Sequence, residues 1–524
     1  MESHTIKGRW GVLDGKRSAV LRRARQCATL TIPGLLPPQG ATQETELPTP
    51  WQGLGARGTN NLSSKLLLAM FPPNSPFYRI KIDDKTLAQL STNADAKTKA
   101  EEGLSKMERN IMDEIEGMML RVSAFEALKQ LIVTGNSLVF IEGDSVRVYR
   151  LDQYCVKRDP MGNVLEIVTK EDISVLLLPD SVRVSIGARQ RKPEDTVELY
   201  TRVERTKTGW TVAQEAGDVN IPDASGSYPL DRCPWIPLRW SAIMGEDYGR
   251  GLIEEYLGDL NSLEVLSQAV VEGAAAAAKL LMMVNPNGTT DAKKVSEAEN
   301  LAVIEGNAED VTCLQANKFA DFQVAKAMID ELKRDLSFAF MLNTSVQRDG
   351  ERVTAEEIRY MAQELEDSLG GVYSVLAREF QLPLINIIRA QMERAGKLPK
   401  LPKKIVKLVI TTGLEALGRT HELQKLNTFM QELEPIKEAA QEYLNIPNYM
   451  TRVGTGVGLD TTGLVLAEED VQASRAEAAK KAQMLELAKT GAAAKVAGGV
   501  MDGIKEGKID PSAMAAGPAT AGAQ

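Results

Sequence analysis

Two residue types that commonly build catalytic and metal sites are scarce in this chain. Its 524 residues include only two histidines and four cysteines, without any C-x-x-C pair: His4, His421, Cys27, Cys155, Cys233 and Cys313. This scarcity argues against a serine–histidine triad or an H-E-x-x-H zinc site, and it excludes a cysteine-rich zinc site. Widely spaced, unpaired cysteines are typical of proteins from a reducing compartment.

The fingerprints of nucleotide binding are also missing or misplaced. No G-x-x-x-x-G-K-[ST] run occurs, so the chain has no P-loop to cradle a triphosphate. Residues 53–58 match G-x-G-x-x-G, but Pro48, Pro50 and Trp51 stand where a dinucleotide fingerprint requires a buried strand. We interpret this segment as a tight turn leading into a helix. The sequence predicts no catalytic residue, no cofactor and no metal.

No apolar run is long enough to span a bilayer. The longest, residues 269–284, is interrupted by Glu272 and Lys279 and falls short of the roughly 20 apolar residues that a span requires. The first ten residues are polar and charged, unlike a secretory signal. The net charge of −9 argues against a protein that coats nucleic acid. We therefore expect synthesis in the cytoplasm and no membrane insertion.

What the chain does contain is a pattern typical of an α+β protein in which helices dominate. Three- and four-residue spacing of apolar residues predicts helices near 16–30, 60–71, 98–120, 125–133, 252–278 and 320–341. Alternation and turn signals predict strands at 137–141, 146–149, 164–169, 197–203 and 210–213, with further candidates at 301–304 and 311–314. Beyond Pro399 the pattern predicts mixed helices.

The segment from 340 to 382 is the most informative, because a polar loop leads there into one long amphipathic helix. Thr354 and Glu357 form a capping box, since each side chain can satisfy an otherwise unpaired backbone N–H. Apolar residues then recur with helical spacing: Ile358, Met361, Leu365, Leu369, Val372, Leu376 and Phe380. Gly370 and Gly371 interrupt this stripe, and paired glycines predict a kink in the helix.

The loop before this helix carries our candidate site residues. Arg348 and Arg352, with Gln347 beside them, form a basic element, and one hypothesis is that it contacts a phosphate backbone. The alternative is that the two arginines pair with Asp349, Glu351 or neighbouring carboxylates, as most charges in loops do. The residues by themselves leave this choice open.

Five segments closely resemble the portal proteins, or head-to-tail connectors, of short-tailed podoviruses of the autographivirus type. They are TPWQGLGARGTNNLSSKLLLAMFP (49–72), FEALKQLIVTGNSLVF (125–140), CPWIPLRW (233–240), YGRGLIEEYLGDLNSLE (248–264) and LSFAFMLNTSVQRDGERVTAEEIRYMAQELEDSLGGVYSVL (336–376). The resemblance is collinear from about residue 25 to residue 462. It does not cover the first twenty residues or the Ala/Gly-rich end.

The resemblance implies an α+β, mainly α-helical portal fold that assembles as a closed ring around a central DNA channel. It divides the chain into an N-terminal wing with helices and a β-rich module (1–250), a first stem helix (251–283), a clip (284–318), a second stem helix (319–342), a channel loop (343–353), a long kinked wing helix (354–398), a crown (399–470) and a partly disordered tail (471–524). Asn343 would begin the channel loop. Arg348 and Arg352 would centre, gate or retain DNA within it.

The function that the resemblance implies is that of a conduit. About twelve copies would form a ring at one capsid vertex, through which a terminase packages double-stranded DNA and the DNA is later ejected. The implied partners are further copies of the chain, viral double-stranded DNA, the large subunit of terminase, tail adaptor proteins, the major capsid and scaffolding proteins, and internal core proteins. The protein would reside in the virion. Two alternatives remain, a tail adaptor that binds the portal and a DNA-processing enzyme.

Overall fold

The structure is a computed structural model, and it describes residues 5–42, 44–72, 76–83, 94–186, 195–277, 281–299, 301–314, 319–342, 369–399, 406–410, 429–433, 435, 449–450 and 453. The chain divides into two compact units, Met1–Leu417 and Gly418–Gln524. Nearly all of the described residues belong to the first unit, and the elements below lie in it.

The helices of the first unit alternate with strands along most of its length. In chain order they are α1 (Ile6–Lys16), α2 (Ser18–Thr29), α3 (Leu54–Met70), α4 (Ala94–Gly117), α5 (Leu120–Thr134), α6 (Asp180–Ser185), α7 (Leu252–Glu255), α8 (Leu257–Ala277), α9 (Ala292–Glu297), α10 (Phe319–Ala339) and α11 (Leu382–Arg394). A helical stretch at 369–376 and a π-helical turn at Ala377–Gln381 run directly into α11.

Among the residues that the structure describes, the strands form four antiparallel sheets. In chain order they are β1 (Tyr78–Ile82), β2 (Asn136–Glu142), β3 (Ser145–Tyr149), β4 (Tyr154–Arg158), β5 (Val164–Ser174), β6 (Thr196–Arg205), β7 (Gly209–Ala216), β8 (Val219–Pro229), β9 (Trp235–Arg239), β10 (Leu281–Val284), β11 (Val311–Leu314) and β12 (Val406–Ile410). The sheet orders are β4-β5-β6-β7-β8, β3-β2-β9, β1-β12 and β10-β11. Helices and strands are therefore mixed and helix predominates, as the sequence predicts.

Helix α5 lies at the centre of the main core. Arg121, Val122 and Glu126 lie on its outer face, whereas its last five residues, 130–134, are all buried, and Leu128, Leu131 and Ile132 have no exposed surface. A helix end that is buried on all sides must be covered on all sides by other elements. It packs against α2, α3, α7 and strand β2, which continues the chain directly after it. This core joins the helices to the three-stranded sheet.

Helix α1 closes the outer face of the five-stranded sheet. Its Ile6 and Trp10 belong to a small apolar cluster with Cys155, Val168 and Tyr200. The Glu215 carboxylate accepts the backbone N–H of Ile6 at 2.7 Å, so a negative charge lies at the N-terminus of the helix, where the helix dipole favours it.

Helices α8 and α10 pack against each other as a pair, and the β10-β11 sheet lies in the segment between them. They approach closely, because a Cβ on Gly273 would lie 2.6 Å from the ring of Phe322. Most other side chains of the pair beyond Leu263 are exposed or half-buried in the single chain. The pair is thus supported by its own contact and by few others.

Three local expectations were wrong. Residues 301–304 form no strand; β11 instead pairs with β10, in residues that we expected to continue a helix to 283. Residues 406–410, expected to be helical, form β12 and pair with β1. The turn predicted at 53–58 is mostly helix, since α3 begins at Leu54 and only Gly53 precedes it as the N-cap.

Candidate functional site at the ends of segment 343–368

Most of the predicted site residues fall outside the residues that the structure describes: Asn343, Gln347, Arg348, Arg352, Thr354 and Glu357. Gly370 and Gly371 are described and lie within the helical stretch 369–376, where a Cβ on either would meet no atom within 4 Å. The helical assignment continues through both, and a bend there stays a prediction. The irregularity that the structure does describe is the π turn seven residues later.

The end of α10 delivers the chain into this segment through a Schellman motif. The N–H of Leu342 donates to the carbonyl of Ser337 at 2.7 Å, and the N–H of Met341 donates to Phe338 at 3.0 Å. Met341 has a φ of 53°, the left-handed conformation usually taken by glycine at this position. A methionine there costs about 1–2 kcal/mol, so other contacts must hold the turn in place.

The first of these contacts is steric and is made by helix α3. Gly58 faces Phe340, and a Cβ at position 58 would lie only 2.4 Å from the Phe340 ring. The ring itself is fully buried. The absence of a side chain at Gly58 is therefore what lets the end of α10 rest on α3.

Two polar side chains of α3 complete the contact. Lys65 donates its ammonium group to the carbonyl of Met341 at 2.7 Å, and Asn61 donates to the carbonyls of Phe340 and Met341, both at 3.2 Å. Phe340 and Met341 directly follow the last residue of α10, where backbone carbonyls lack partners within the helix and the helix dipole also favours a cation. We call residues 340–342 with Gly58, Asn61 and Lys65 the entry anchor.

The π turn on the far side of the segment is held by charge. Glu379 accepts hydrogen bonds from Arg239 of β9, with its Oε1 3.1 Å from Nε, and lies 3.6 Å from Arg158 of β4. Both arginine side chains are almost completely buried, at 6% and 4% exposure. Burial lowers the pKa of Arg158, and the nearby Glu379 carboxylate opposes that change. One carboxylate is therefore shared between two buried cations.

Two further contacts tie the π turn to the end of α3. Gln381 is completely buried and donates its Nε2 to the carbonyl of Met70 at 2.7 Å. The rings of Phe71 and Phe380 pack edge to face, with centroids 5.4 Å apart. We call Glu379, Gln381 and these partners the exit anchor. A π turn is rare and is frequently found where a helix serves a function.

Helix α3 therefore contacts the chain before segment 343–368, at residues 340–342, and its C-terminal end contacts the chain again after the segment, at Phe380 and Gln381. The entry anchor uses its middle turns, and the exit anchor uses its C-terminal carbonyl. This arrangement holds the chain at residues 340–342 and again at residues 379–381, and it offers no catalytic chemistry. Within the described residues, no three His, Cys, Asp or Glu side chains gather to share a metal ion, and no helix is apolar over a length that could cross a bilayer.

Sequence reasoning missed both anchors, although the chain carries signals for them. Lys65 falls in the apolar stripe of α3, one residue before Leu66 and three after Leu62, and a charge in such a stripe must find a partner. Arg239 likewise ends a strand whose five residues are all buried. What the sequence lacked was the identity of each partner, because 276 and 140 residues separate the pairs.

Comparison with known proteins gives one family match. The family described as bacteriophage head to tail connecting protein matches residues 3–465.

Several relatives match over nearly their whole length. The portal protein of Escherichia phage T7 is 41% identical over 525 residues, 98% of this chain and 96% of the relative. That of Enterobacteria phage T3 is 43% identical over 479 residues, 89% of each chain. That of Enterobacteria phage SP6 is 32% identical over 507 residues, 95% of this chain and 96% of the relative.

Among solved structures, a chain of the virion of a native gene transfer agent particle is similar at 12% identity, covering 67% of this chain and 87% of that chain. The TM-score is 0.32, which is too low to support an argument about fold or function.

Proposed function

This chain belongs to the bacteriophage head to tail connecting protein family and serves as a portal protein, and we propose that its copies assemble into a closed ring around a channel for double-stranded DNA. Members of this family are structural virion components at the head–tail junction, so the chain is not an enzyme. The DNA-processing alternative is set aside on that ground.

The observation that best supports a ring is the exposed apolar surface of the α8–α10 pair. Large apolar side chains on both helices are half or more exposed in the single chain: Val265 (56%), Val271 (51%), Val324 (63%), Met328 (50%) and Phe338 (81%). Val324, Met328 and Phe338 fall within about 80° on one side of α10, and a contiguous apolar face of this kind marks an interaction surface. A neighbouring copy, in a head-to-tail contact that closes into a ring, would bury them.

The proposed ring assigns the two helices to its stem and the residues between them to its clip. The stem helices end at Ala277 and Ala339 in the structure, slightly short of the predicted limits of 283 and 342. Residues 1–250 and 354–398 would form the wing, 399–470 the crown and 471–524 the tail. Segment 343–353 would form the channel loop, supported by the anchors that bracket it.

The net charge of the chain supports a channel through which DNA passes without being bound tightly. Twelve copies would carry a net charge of roughly −108, which repels DNA at long range. Arg348 and Arg352, repeated around the ring, would touch the phosphate backbone at one level without reading bases. They would centre or retain DNA, with Asn343 and Gln347 in the same loop.

The proposed partners follow from this role. The ring would stand at one capsid vertex and contact the major capsid, scaffolding and internal core proteins. The terminase large subunit would bind during packaging, and tail adaptor proteins would bind afterwards. The match to portal proteins also sets aside the alternative of a tail adaptor that binds the portal.

The test is ring formation by the purified chain alone, measured by native mass and end-on particle images. We expect Phe338→Gln with Val324→Gln to block assembly, while Leu177→Gln, which removes another exposed apolar side chain (74%), leaves it intact. A wild-type chain that stays monomeric would contradict the proposal. In rings that form, Arg348→Ala with Arg352→Ala should preserve assembly and alter DNA packaging or retention; unchanged packaging and retention would remove the loop assignment.

A further inference from the structure

Helix α10 carries two stripes of residues with heptad spacing, and only one of them faces the core. The inward stripe packs towards α8 and consists of Phe322, Ala325, Ile329, Leu332 and Leu336. The other stripe lies about 120° around the helix axis, is exposed, and consists of Val324, Met328, Glu331, Asp335 and Phe338. We call this second stripe the acidic seam. Heptad spacing is the pattern with which one helix packs along another, so the seam has the form of a second helix contact.

The acidic seam holds two charges that the single chain leaves unpaired. Glu331 and Asp335 occupy its centre, where a helix contact normally has apolar residues. Among the residues that the structure describes, neither carboxylate forms an ion pair, and the two repel each other because they lie one helical turn apart. Burying them without a counter-charge would be costly. A helix that covers the seam must therefore place cations opposite Glu331 and Asp335.

The opposite side of α10 carries such cations. Its exposed charged residues are Lys326, Asp330, Lys333 and Arg334, and we call these four the basic flank. Within the described part of the chain, none of the four forms an ion pair. The flank is centred about 140° around the helix axis from the acidic seam. With three cations and one carboxylate, the flank has a net charge that is equal and opposite to that of the seam.

Helix α8 of a neighbouring copy could not neutralise the seam. It contains Asp259, Glu264 and Glu272 but no lysine or arginine, so placing it on the seam would set carboxylates against carboxylates. The α10 helix of a neighbouring copy fits better. Cyclic symmetry places equivalent residues of neighbouring copies at the same height, and the charges of seam and flank, at 331–335 and 333–334, lie within about 3 Å of each other along the helix.

From this complementarity we infer that neighbouring copies of the chain meet along α10, with the acidic seam of one copy against the basic flank of the next. The contact uses two different surfaces of the same helix, as a head-to-tail ring requires. The aliphatic stems of the lysines and of Arg334 would cover the apolar residues of the seam, and the Arg334 guanidinium would favour the face of the Phe338 ring. The inference rests on the proposed ring and adds which surfaces form its subunit contact.

The test reverses the charge of each surface in the full-length protein and measures the concentration at half assembly by native mass. Glu331→Lys with Asp335→Lys, or Lys333→Glu with Arg334→Glu, should raise that concentration about tenfold at low salt, because attraction becomes repulsion. The change should shrink at about 1 M salt, where charges are screened beyond about 3 Å. The control Glu44→Lys with Glu46→Lys makes the same change of charge at exposed positions outside α8 and α10 and should assemble as the wild type does.

Combining the two reversals in one chain completes the test. The fourfold variant has a basic seam and an acidic flank, which are complementary again, so it should assemble at nearly the wild-type concentration. Reversals without effect, or a fourfold variant no better than either double variant, would overturn the inference. Normal rings with weaker binding to a short DNA duplex after the flank reversal alone would assign the flank to DNA instead. A wild-type chain that forms no ring rejects the proposed function, whereas a wild-type ring that tolerates both reversals rejects the α10 contact alone.

Discussion

The two anchors of segment 343–368 rest on the same helix but are built from different interactions. The entry anchor holds neutral backbone carbonyls and a buried ring against α3, and Lys65 is its only charged member. The exit anchor depends on Glu379 between two buried arginines. Fit and hydrogen bonding thus hold the chain just before the segment, and an ion pair shared with two arginines holds it at the π turn that follows the segment. The two ends should respond differently to substitution.

The largest effect is expected at the exit anchor from Glu379→Ala. Removing the shared carboxylate takes away the ion-pair partner of the buried Arg158 and Arg239, and breaking a buried ion pair costs about 3–5 kcal/mol. Urea unfolding followed by tryptophan fluorescence measures this, since Trp235 and Trp240 flank Arg239 in the chain. Removing the ion pair of exposed Lys293 by Glu297→Ala is the control, with a change below about 1 kcal/mol. Equal changes in the two variants would contradict the charge-balance account.

At the entry anchor, Gly58→Ala is expected to cause a smaller loss in the free energy of unfolding. The added methyl group would overlap the Phe340 ring, and overpacking of this kind costs about 1–3 kcal/mol. Gly103→Ala is the matched control, because a Cβ there meets no atom within 4 Å and alanine favours the helix. Combining Gly58→Ala with Phe340→Leu should recover part of the loss. If the stability loss of the double variant equals the sum of the two single losses, overlap between the methyl group and the ring is not its cause.

Lys65→Met should lower the free energy of unfolding by about as much as Gly58→Ala does, or by slightly less. The substitution keeps most of the apolar stem and removes a donor to the Met341 carbonyl, for an expected loss of about 1–3 kcal/mol. Hydrogen exchange in the last turn of α10 should quicken in this variant and stay unchanged in Lys326→Met, on the exposed side of the same helix. Unchanged protection at residues 340–342 would show that the Schellman turn holds without α3.

The smallest effect is expected from Gly370→Ala with Gly371→Ala. Both positions are helical with free space around the missing Cβ, so each change should stabilise the helix by about 1 kcal/mol. If the glycines kink the helix for function, packaging should nevertheless fall while thermal stability rises. If stability rises and packaging stays at the wild-type level, the helix does not need a kink at the glycines for function. The π turn would then be the irregularity to which a function is assigned.

The sequence alone predicted the elements better than their long-range partners. The strands near 137–141 and 197–203 were found because alternation of apolar residues is a local signal. Strand β12 was missed because its partner β1 lies more than 300 residues earlier, and pairing of such strands leaves no local trace. Tertiary context also decided β10, whose apolar run Leu281–Val284 reads equally well as the end of a helix.

For the candidate site, the sequence pointed to the segment but not to its supports. The arginines and the capping box drew attention to 343–357 by local pattern. Lys65 binds a backbone carbonyl, and Glu379 binds two guanidinium groups, and all of these partners come from elements distant in the sequence. A charged residue in a helical stripe does not reveal which distant residue it binds. The resemblance to portal proteins supplied the family, which the comparisons confirm.

The π turn at Ala377–Gln381 has a consequence for register. A π turn holds one residue more than an α-helical turn, and each residue of an α-helix rotates the chain by about 100°. Deleting one residue within the turn would therefore close it into an ordinary helix and rotate everything before it relative to α11. A relative that lacks the turn should align with a single-residue gap at these five positions. The direction in which the preceding segment leaves the core is thus set by one inserted residue.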